Sequence, residues 1–474
     1  MSAPRPSPSY SLTLRIEYQN QVGMLGRVTS VIGTEGGDIG AIDIVKTTRE
    51  TITRDITFSA RDEEHAQTII AAVREISGID IVHLSDRTFL LHLGGKLEIS
   101  SKVPLKTRDD LSMAYVPGVA RISKAIAEDP NDVFNLTIKR NTVAVISDGS
   151  ELLNLGNVGP EAALPVMESK ALLLKEFAGV DAFPLCLNVA NVDEFVAVVK
   201  AIAPGFGAIH LEDISGPNCF EIEQKLGERL EIPVFHNDQH GTAIVVLAAL
   251  INSLKIVTKA PSDLRVVING ATAAGVATER LLLTHGVRDV ILCDETGALH
   301  SGREDLNGVL QSLAGDTNPR AITAGVGEAL AGADVFLGFG HGGNIDPQFV
   351  FAMNSSPIVF SVAHPRPEID PEAIADVARV IATGRSDFPN QLNNMLCFPG
   401  FFRGLLDARA KSVNNEMKLA AAHAIADVIG RDELHEDYVI PSVFDRRVAK
   451  AVADAVRASA QQTGVARRTT RGAF

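Results

Sequence analysis

Carboxylate side chains follow two predicted strands at the point where each strand ends. Glu212 and Asp213 come directly after the buried apolar stretch 208–211, and Asp238 lies three residues beyond a second one, 234–235. Because neighbouring parallel strands end at the same edge of a sheet, we expect these carboxylates to lie side by side. Three hard oxygen ligands suit Mg²⁺ or Mn²⁺, with the remaining positions left to water and substrate. The alternative is helix capping and surface charge, which also account for acidic residues at strand ends.

Two histidines beside the second acidic position raise the question of zinc. His236 and His240 lie four residues apart, but the interval crosses a strand-to-helix turn, so they do not share a helix face. No cysteine lies near them in the sequence. We therefore expect both to be structural histidines.

A lysine and a tyrosine offer groups for proton transfer. Lys170 lies in a predicted helix over 165–177, and Tyr115 lies in the segment 113–118, MAYVPG. A lysine that is partly desolvated beside a divalent cation has a lowered pKa and can act as a base near neutral pH. A tyrosine hydroxyl can return a proton. Taken singly, each residue is more often an ordinary surface lysine or core tyrosine.

A glycine-containing turn has the context of a dinucleotide site, since it follows a predicted strand over 265–269 and opens a helix. Asp294 ends the next strand, where a carboxylate can bind the ribose hydroxyls. No Arg or Lys follows it directly, so NAD is favoured over NADP. A threonine replaces the middle glycine of the fingerprint; its branched side chain hinders the pyrophosphate, although its hydroxyl can donate to a phosphate oxygen. The residues of the turn are Gly270, Ala271, Thr272, Ala273, Ala274 and Gly275.

The elements that must position these residues alternate between strand and helix. That order is typical of parallel sheets covered on both faces, in which ligands gather beyond the carboxyl ends of the strands. Asn191 and Glu194 give a capping-box start to a helix over 194–202. Helical segments over 404–460 close the chain and are predicted to pack back on the first α/β region. The predicted strands are 142–146, 181–189, 208–214 and 233–236, followed by 265–269 and 290–293 in a second α/β unit.

Residues 10–86 form a separate unit in the order βαββαβ, which makes a small sheet with two helices on one face. The pattern resembles an ACT domain, a module that commonly binds amino acids or other small effectors at the loop after its first strand. Gly23, Met24 and Leu25 fall on that loop, so the resemblance implies effector contacts there. A dimerisation module without a ligand is the alternative. The predicted strands are 11–18, 39–47, 51–59 and 79–84, with a first helix after the loop and a second over 63–76.

Composition and charge limit the classes of function that this protein can have. The net charge of −14 argues against a nucleic-acid partner, and no apolar run approaches the length of a membrane span. The opening MSAPRPSPS lacks the apolar core of a signal peptide and reads as a disordered lead. Four scattered cysteines without a CxxC pair indicate reduced thiols in a cytoplasmic protein. These are Cys186, Cys219, Cys293 and Cys397.

Together these residues resemble the malic enzyme family over about 87–456. The resemblance implies oxidative decarboxylation of malate or a malate-like 2-hydroxy acid with NAD. Glu212, Asp213 and Asp238 would bind the metal, and Asn393 and Asn394 would hold substrate carboxylates. Lys170 would take the proton of the substrate hydroxyl, and Tyr115 would protonate the enol left after decarboxylation. The matching stretches are DLSMAYVPGVA (110–120), SDG (147–149), LGN (155–157), KAL (170–172), LEDI (211–214), QHGTA (239–243), GRSDFPNQ (384–391), NN (393–394) and FPG (398–400).

Several pocket positions depart from the family pattern. Asn237 and Asn188 stand where the family usually has aspartate, and His364 stands where it has an asparagine that contacts substrate. These changes make the pocket less negative, which suits a bulkier or more anionic substrate such as a phosphonate, sulfonate or tricarboxylate analogue. The loss of an aspartate at 237 should also lower the pKa of Lys170, if the two are adjacent.

The sequence thus predicts an α/β protein with an N-terminal ACT-like α+β domain, a malic-enzyme-type substrate domain and a Rossmann-like dinucleotide-binding domain. Two other functions remain open: a non-redox, metal-dependent keto-acid decarboxylase, and a catalytically inactive sensor of an effector. The resemblance implies a homodimer or a higher homo-oligomer. The predicted segments are 1–9 disordered, 10–86 ACT-like, 87–252 substrate and metal, 253–394 NAD-binding, 395–460 C-terminal helices and 461–474 flexible.

Overall fold

The computed structural model describes residues 6–153, 155–306, 308–363 and 366–467. By its internal contacts the chain divides into two compact units between Glu98 and Ile99. The predicted boundary after residue 86 falls earlier than this division. A short helix that follows it, Arg87–His92, packs against the first and last strands of the N-terminal unit.

The N-terminal unit is a four-stranded antiparallel sheet with two longer helices, in the predicted βαββαβ order. Alternate side chains of the first strand, Leu12, Leu14 and Ile16, are buried with Val28 and Ile32 of the first helix. The strand order is β2-β3-β1-β4. The elements are β1 (Ser7–Gln19), α1 (Met24–Thr34), β2 (Asp38–Thr47), β3 (Thr51–Ala60), α2 (Glu63–Arg74), β4 (Ile79–Asp86) and α3 (Arg87–His92).

The predicted disordered lead, 1–9, differs from the structure at its end. Residues 7–9 belong to β1, and Ser7 is paired with Ala60 of β3. The prolines and serines of this segment suggested a disordered lead, but a neighbouring strand supplies partners that the sequence does not reveal.

A four-stranded parallel sheet begins the second unit, in the order β6-β5-β7-β8. Its strand β5 is buried along its whole length, so both faces are covered. Before it come α4 (Arg108–Ala114), α5 (Gly118–Glu128) and α6 (Val133–Leu136). The sheet and its crossings comprise β5 (Thr142–Ser147), α7 (Pro160–Ala178), β6 (Asp181–Cys186), α8 (Val192–Ile202), β7 (Ala208–Leu211), α9 (Asn218–Arg229) and β8 (Val234–His236).

The predicted cap of α8 is present. The Asn191 side chain accepts a hydrogen bond from the backbone N–H of Glu194, and the Glu194 carboxylate accepts one from Ala190. The helix therefore begins at Val192, two residues before the predicted start. Strand β6 ends at Cys186, earlier than the predicted 189, because its partner strand β5 ends opposite it at Ser147.

A second, six-stranded sheet follows in the order β11-β10-β9-β12-β13-β14, parallel except for β11. Strand β9 has the predicted bounds, and its residues 266–269 are buried. Helix α11 starts at Ala273, four residues after the end of β9. The elements are β9 (Arg265–Asn269), α11 (Ala273–His285), β10 (Asp289–Asp294), β11 (Gly297–Ala298), α12 (Gly308–Asp316), α13 (Val326–Ala329), β12 (Val335–Gly338), β13 (Ile358–Ser361) and β14 (Val380–Thr383).

Helix α10 (Thr242–Val257) joins the two sheets and is buried over Ala243–Leu254. With the π-helical turn before it, Asn237–Gly241, it has the length and hydropathy of a membrane span, contrary to the sequence prediction that no run comes close. However, 72% of its most apolar window is buried inside the protein. It is a core helix, and its side chains pack in one cluster with β5, β9 and the C-terminal helices.

Three helices close the described chain: α14 (Phe398–Ala408), α15 (Asn415–Ala426) and α16 (Arg446–Gln462). α14 packs against α7, and α15 packs against α10. The predicted flexible tail, 461–474, is ordered at its start, because α16 runs to Gln462 and Ala466 pairs with Ala410. The remaining residues, 468–474, lie outside the described part of the chain.

Candidate active site

The carboxyl ends of β7 and β8 bring Glu212, Asp213 and Asp238 together. One oxygen from each lies within 4.8 Å of the other two. The backbone N–H of Asp213 donates to Oδ2 of Asp238 at 2.8 Å, which fixes the two strand ends against each other. Asp213 adopts a left-handed backbone conformation, φ 52°, that turns its side chain toward the cluster.

The charges of this cluster suit a cation. Burial and the neighbouring Glu212 raise the pKa of Asp213 to about 7 and that of Asp238 well above its ordinary value. Oδ2 of Asp213 is buried and accepts no hydrogen bond from any described residue. A divalent cation would bind that oxygen and offset the repulsion between the carboxylates, so the donor set fits Mg²⁺ or Mn²⁺.

Lys170 reaches the same cluster from α7. Its Nζ lies 2.9 Å from Oε1 of Glu212 and 3.3 Å from Oδ1 of Asn394, and 5.1 Å from the centre of the Phe398 ring. Burial alone lowers the pKa of Lys170, but the charges of Glu212 and Asp238 outweigh it and hold the pKa above its ordinary value. The sequence suggested that a neighbouring cation lowers the pKa of Lys170. That lowering requires the charges of these carboxylates to be neutralised.

Glu212 is held from both sides. Nε2 of the buried His210 lies 2.6 Å from Oε2 of Glu212, and the amide of Asn237 donates to the same oxygen at 3.1 Å. Although burial opposes it, the charge of Lys170 and the bond to His210 keep the pKa of Glu212 low. Asn237 contacts Lys170 only through this carboxylate in the recorded hydrogen bonds, so the predicted effect of Asn237 on the pKa of Lys170 is indirect.

The turn after β9 leaves no room for a side chain at two of its glycines. Gly270 has φ 109°, and a Cβ there would lie 2.7 Å from the backbone carbon of Phe339; a Cβ at Gly275 would lie 1.9 Å from the carbonyl oxygen of Gly270. Thr272 caps α11, where its Oγ1 accepts a hydrogen bond from the N–H of Gly275 at 3.3 Å. The hydroxyl hydrogen stays available for a phosphate oxygen.

Asp294 ends β10 beside this turn, and the structure adds a residue that the sequence analysis missed. The guanidinium of Arg303 donates to both carboxylate oxygens of Asp294, at 2.8 and 2.7 Å. Burial raises the pKa of Asp294, but hydrogen bonds from Arg303 and Thr296 hold it below its ordinary value. No arginine or lysine follows Asp294 directly in the sequence, but Arg303 returns to this carboxylate from the loop after β11.

Comparisons with known proteins give matches to all three predicted domains. The family model for the malic enzyme N-terminal domain matches residues 94–227, that for the malic enzyme NAD-binding domain matches 239–461, and that for the ACT domain matches 6–83. An NAD-dependent malic enzyme of Geobacillus stearothermophilus is 53% identical over 458 residues, covering 97% of this chain and 96% of the relative.

The chain belongs to the malic enzyme family.

It is a malic-enzyme-type oxidoreductase with an N-terminal ACT domain. A bifunctional malic/malolactic enzyme of Bacillus subtilis is 52% identical over 81% of this chain and 96% of its own length. Among solved structures, a malic enzyme of Pyrococcus horikoshii matches with a TM-score of 0.77 and 48% identity over 79% of this chain and 89% of that one. An NAD-dependent malic enzyme of Thermotoga maritima matches with a TM-score of 0.76 and 43% identity over 79% and 99%.

The other predicted site residues of this malic enzyme homologue that the structure describes form none of the hydrogen bonds given above. Tyr115 ends α4 with 64% of its surface exposed, and its hydroxyl forms no recorded hydrogen bond with a described residue. Asn188 lies exposed beyond β6. Oδ1 of Asn393 caps a 3-10 turn by accepting from the N–H of Met395. His364 lies outside the described residues.

At the ACT loop, the predicted effector residues have mixed placements. Gly23 precedes α1 with φ 90°, a left-handed conformation that favours glycine. Met24 is buried in the domain core, and Leu25 packs partly against it. An effector contact through the Met24 side chain would therefore require that side chain to leave the core.

Two residues that shape the site were not among those predicted from the sequence. His210 lies two positions before Glu212 on β7, and a spacing of two places both side chains on one face of a strand. Glu368 accepts hydrogen bonds from the N–H groups of Gly340 and Ala363, in the loops after β12 and β13. Burial raises the pKa of Glu368 to about 7. The sequence around it, RPEIDPE (366–372), mixes charged residues with prolines and gives no signal that singles out Glu368.

Proposed function

We propose that this protein catalyses the oxidative decarboxylation of malate with NAD, in the cytoplasm. The observation that carries the proposal is the meeting of Lys170 with three carboxylates at the edge of the first sheet. A malic enzyme NAD-binding domain accompanies it. The two alternatives, a non-redox decarboxylase and an inactive sensor, would not need the close glycine turn at Gly270–Gly275 or the carboxylate of Asp294 held beside it.

Glu212, Asp213 and Asp238 would hold Mg²⁺ or Mn²⁺, which when bound supplies Lewis-acid polarisation of the substrate oxygens. The turn after β9, with Asp294, would hold NAD, which supplies the acceptor for the hydride of carbon 2. Lys170 takes the proton of the substrate hydroxyl, and Asn394, 3.3 Å from its Nζ, orients the amine. The cluster lies among buried residues, so bulk water is largely excluded from the reacting groups.

We assign the second proton transfer to a tyrosine from a second copy of the chain. Tyr115 is exposed, and so are the apolar side chains around it, Leu111, Met113 and Val116. An exposed apolar surface of this kind is typical of an interface. We place Tyr115 in the site of a partner subunit, where it returns a proton to carbon 3 of the enol; the active protein is then a homodimer or a higher homo-oligomer.

We expect Asn188 and Asn237 to affect which substrate the protein accepts. Asn237 replaces a negative charge next to Glu212 with a neutral donor. A substrate with a larger negative charge than malate, such as a phosphonate analogue, meets less repulsion there. Malate and its phosphonate analogue therefore belong in the same assay. The ACT domain is proposed to bind a small effector at the loop of Gly23, Met24 and Leu25.

The proposal is tested by following NADH absorbance with the purified protein, Mn²⁺, NAD and malate, and by measuring pyruvate. NADH and pyruvate should appear in equal amounts and both should require the metal. Pyruvate formation from oxaloacetate without any malate turnover would favour the non-redox alternative. The absence of product with malate and with its phosphonate analogue would refute the enzymatic assignment.

A further inference from the structure

A cavity of about 760 Å³ opens on the second unit, away from the acidic cluster. Its walls come from the residues that precede β5, β7 and β8, so it lies at the opposite edge of the first sheet from Glu212 and Asp238. Its volume falls within the usual range for sites that bind small molecules. The catalytic proposal makes no use of it.

The cavity gathers positive charge in a protein whose net charge is −14. Its cationic side chains are Lys139, Lys200, Arg229, Lys411 and Arg467. Glu231 is the one acidic residue among the lining residues that the structure describes. It is bound to Arg467 at 2.9 Å, while Lys200, Arg229 and Lys411 form no recorded ion pair with a described residue.

Lys139 is the buried member of this group. Its Nζ donates to the carbonyl oxygens of Ala203 and Pro204, at 3.3 and 3.0 Å, and has no carboxylate partner among the described residues. It lies 5.3 Å from the centre of the Phe134 ring, and the guanidinium of Arg467 lies 5.4 Å from the same centre. Burial and the charge of Arg467 lower the pKa of Lys139.

Cations held this close repel one another unless an anion lies between them. The C-terminal segment holds Arg467 beside the other cations, because its backbone N–H donates to the carbonyl oxygen of Arg409. The Arg409 guanidinium lies 5.6 Å from the centre of the same Phe134 ring. Guanidinium and ammonium groups together are the usual partners of phosphate oxygens. Leu230, Ile232 and Val133 add an apolar wall.

We propose that this cavity binds a small phosphate-bearing polyanion, at a site separate from the substrate and dinucleotide sites. The exposed lysines Lys200 and Lys411 meet the outer charges of the anion, and Arg467 and Lys139 meet it deeper in the cavity. Affinity falls as salt is raised, because the outer contacts are open to solvent.

The test is isothermal titration of the full-length protein with inorganic tripolyphosphate and, separately, with ATP, both with NAD at saturation to occupy the dinucleotide site. The variant is Lys200→Glu with Lys411→Glu, two exposed positions whose reversal should leave the fold intact. A matched control reverses two other exposed cations, Arg288→Glu with Lys450→Glu, which lie outside the cavity lining.

We expect at least one probe to bind the unaltered protein and the control alike, and the cavity variant to bind it about tenfold more weakly or worse. Binding of tripolyphosphate alone or of both probes supports the site, and a preference for ATP assigns part of the affinity to the apolar wall. The proposal is overturned if neither probe binds, or if the control loses as much affinity as the cavity variant.

Discussion

The guanidinium of Arg303 donates hydrogen bonds to both carboxylate oxygens of Asp294, at 2.8 and 2.7 Å, at the end of β10. The pair places a carboxylate and a guanidinium at the position where NAD and NADP differ. The carboxylate favours the ribose hydroxyls of NAD, and the guanidinium would favour a 2′-phosphate if it were free. In the proposed NAD site, Asp294 would therefore keep Arg303 from binding a 2′-phosphate of NADP.

Asp294→Ser should leave Arg303 paired only with the more exposed Asp305. The ratio of kcat/KM for NADP to that for NAD should then rise by about tenfold or more, since a charge-assisted pair is worth about 1.5–3 kcal/mol. Steady-state kinetics with the two cofactors measures the ratio. Asp305→Ser is the matched control, because Asp305 is the other carboxylate bound to Arg303 and is more exposed. A ratio that moves equally in both variants would contradict the assignment.

Lys170→Ala should lower kcat by about a thousandfold, within the range usual for loss of a general base. Binding of NAD, measured by calorimetry, should stay unchanged, because Lys170 contacts the substrate site rather than the turn after β9. Lys175→Ala is the control on the same helix, at an exposed position. Near-normal turnover in Lys170→Ala would exclude this amine as the base.

The proposed interface predicts complementation. Tyr115→Phe and Lys170→Ala should each be inactive, whereas co-expressed chains form mixed dimers with one intact site. For random pairing in a twofold dimer, the recovered activity is about a quarter of the unaltered value. If Tyr115 instead served the site of its own chain, mixing would restore nothing.

Glu279 is fully buried in α11, and its two carboxylate oxygens have no hydrogen-bond partner among the described residues. Burial raises its pKa from 4.5 to about 7. Between these values the unfolded chain releases a proton that the folded chain keeps, so stability falls as pH rises and the full penalty is present above about pH 7.

Glu279→Gln should therefore stabilise the protein by about 3 kcal/mol at pH 8, and the gain should vanish near pH 4.5. Thermal unfolding followed by circular dichroism across this range measures it. Glu304→Gln changes an exposed glutamate in the same α/β unit and should have no such pH-dependent effect. A gain that is constant with pH would mean that ionisation of Glu279 is not its cause.

Much of this architecture could be predicted because its signals are local. Apolar runs marked β9 and most of β5, the Asn191 cap marked the start of α8, and strand-end acids marked the cluster. What escaped depends on the paths of loops or on chain segments far apart in sequence. Arg303 meets Asp294 through a loop, whose path no local pattern specifies.

The predicted substrate residues show the same limit. Asn394 reaches Lys170 across 224 positions of sequence, which only the family resemblance could anticipate. Tyr115 was placed beside Lys170 by that resemblance, but within one chain it points to no described hydrogen-bond partner. A resemblance to a family indicates the roles of matching residues, but it does not say which copy of the chain supplies each residue.

Helix α10 has a mechanical consequence. Because its buried side chains belong to one continuous core with strands of both sheets, neither α/β lobe of the second unit can melt while the other keeps its packing. Heat should therefore abolish metal binding and dinucleotide binding at one temperature.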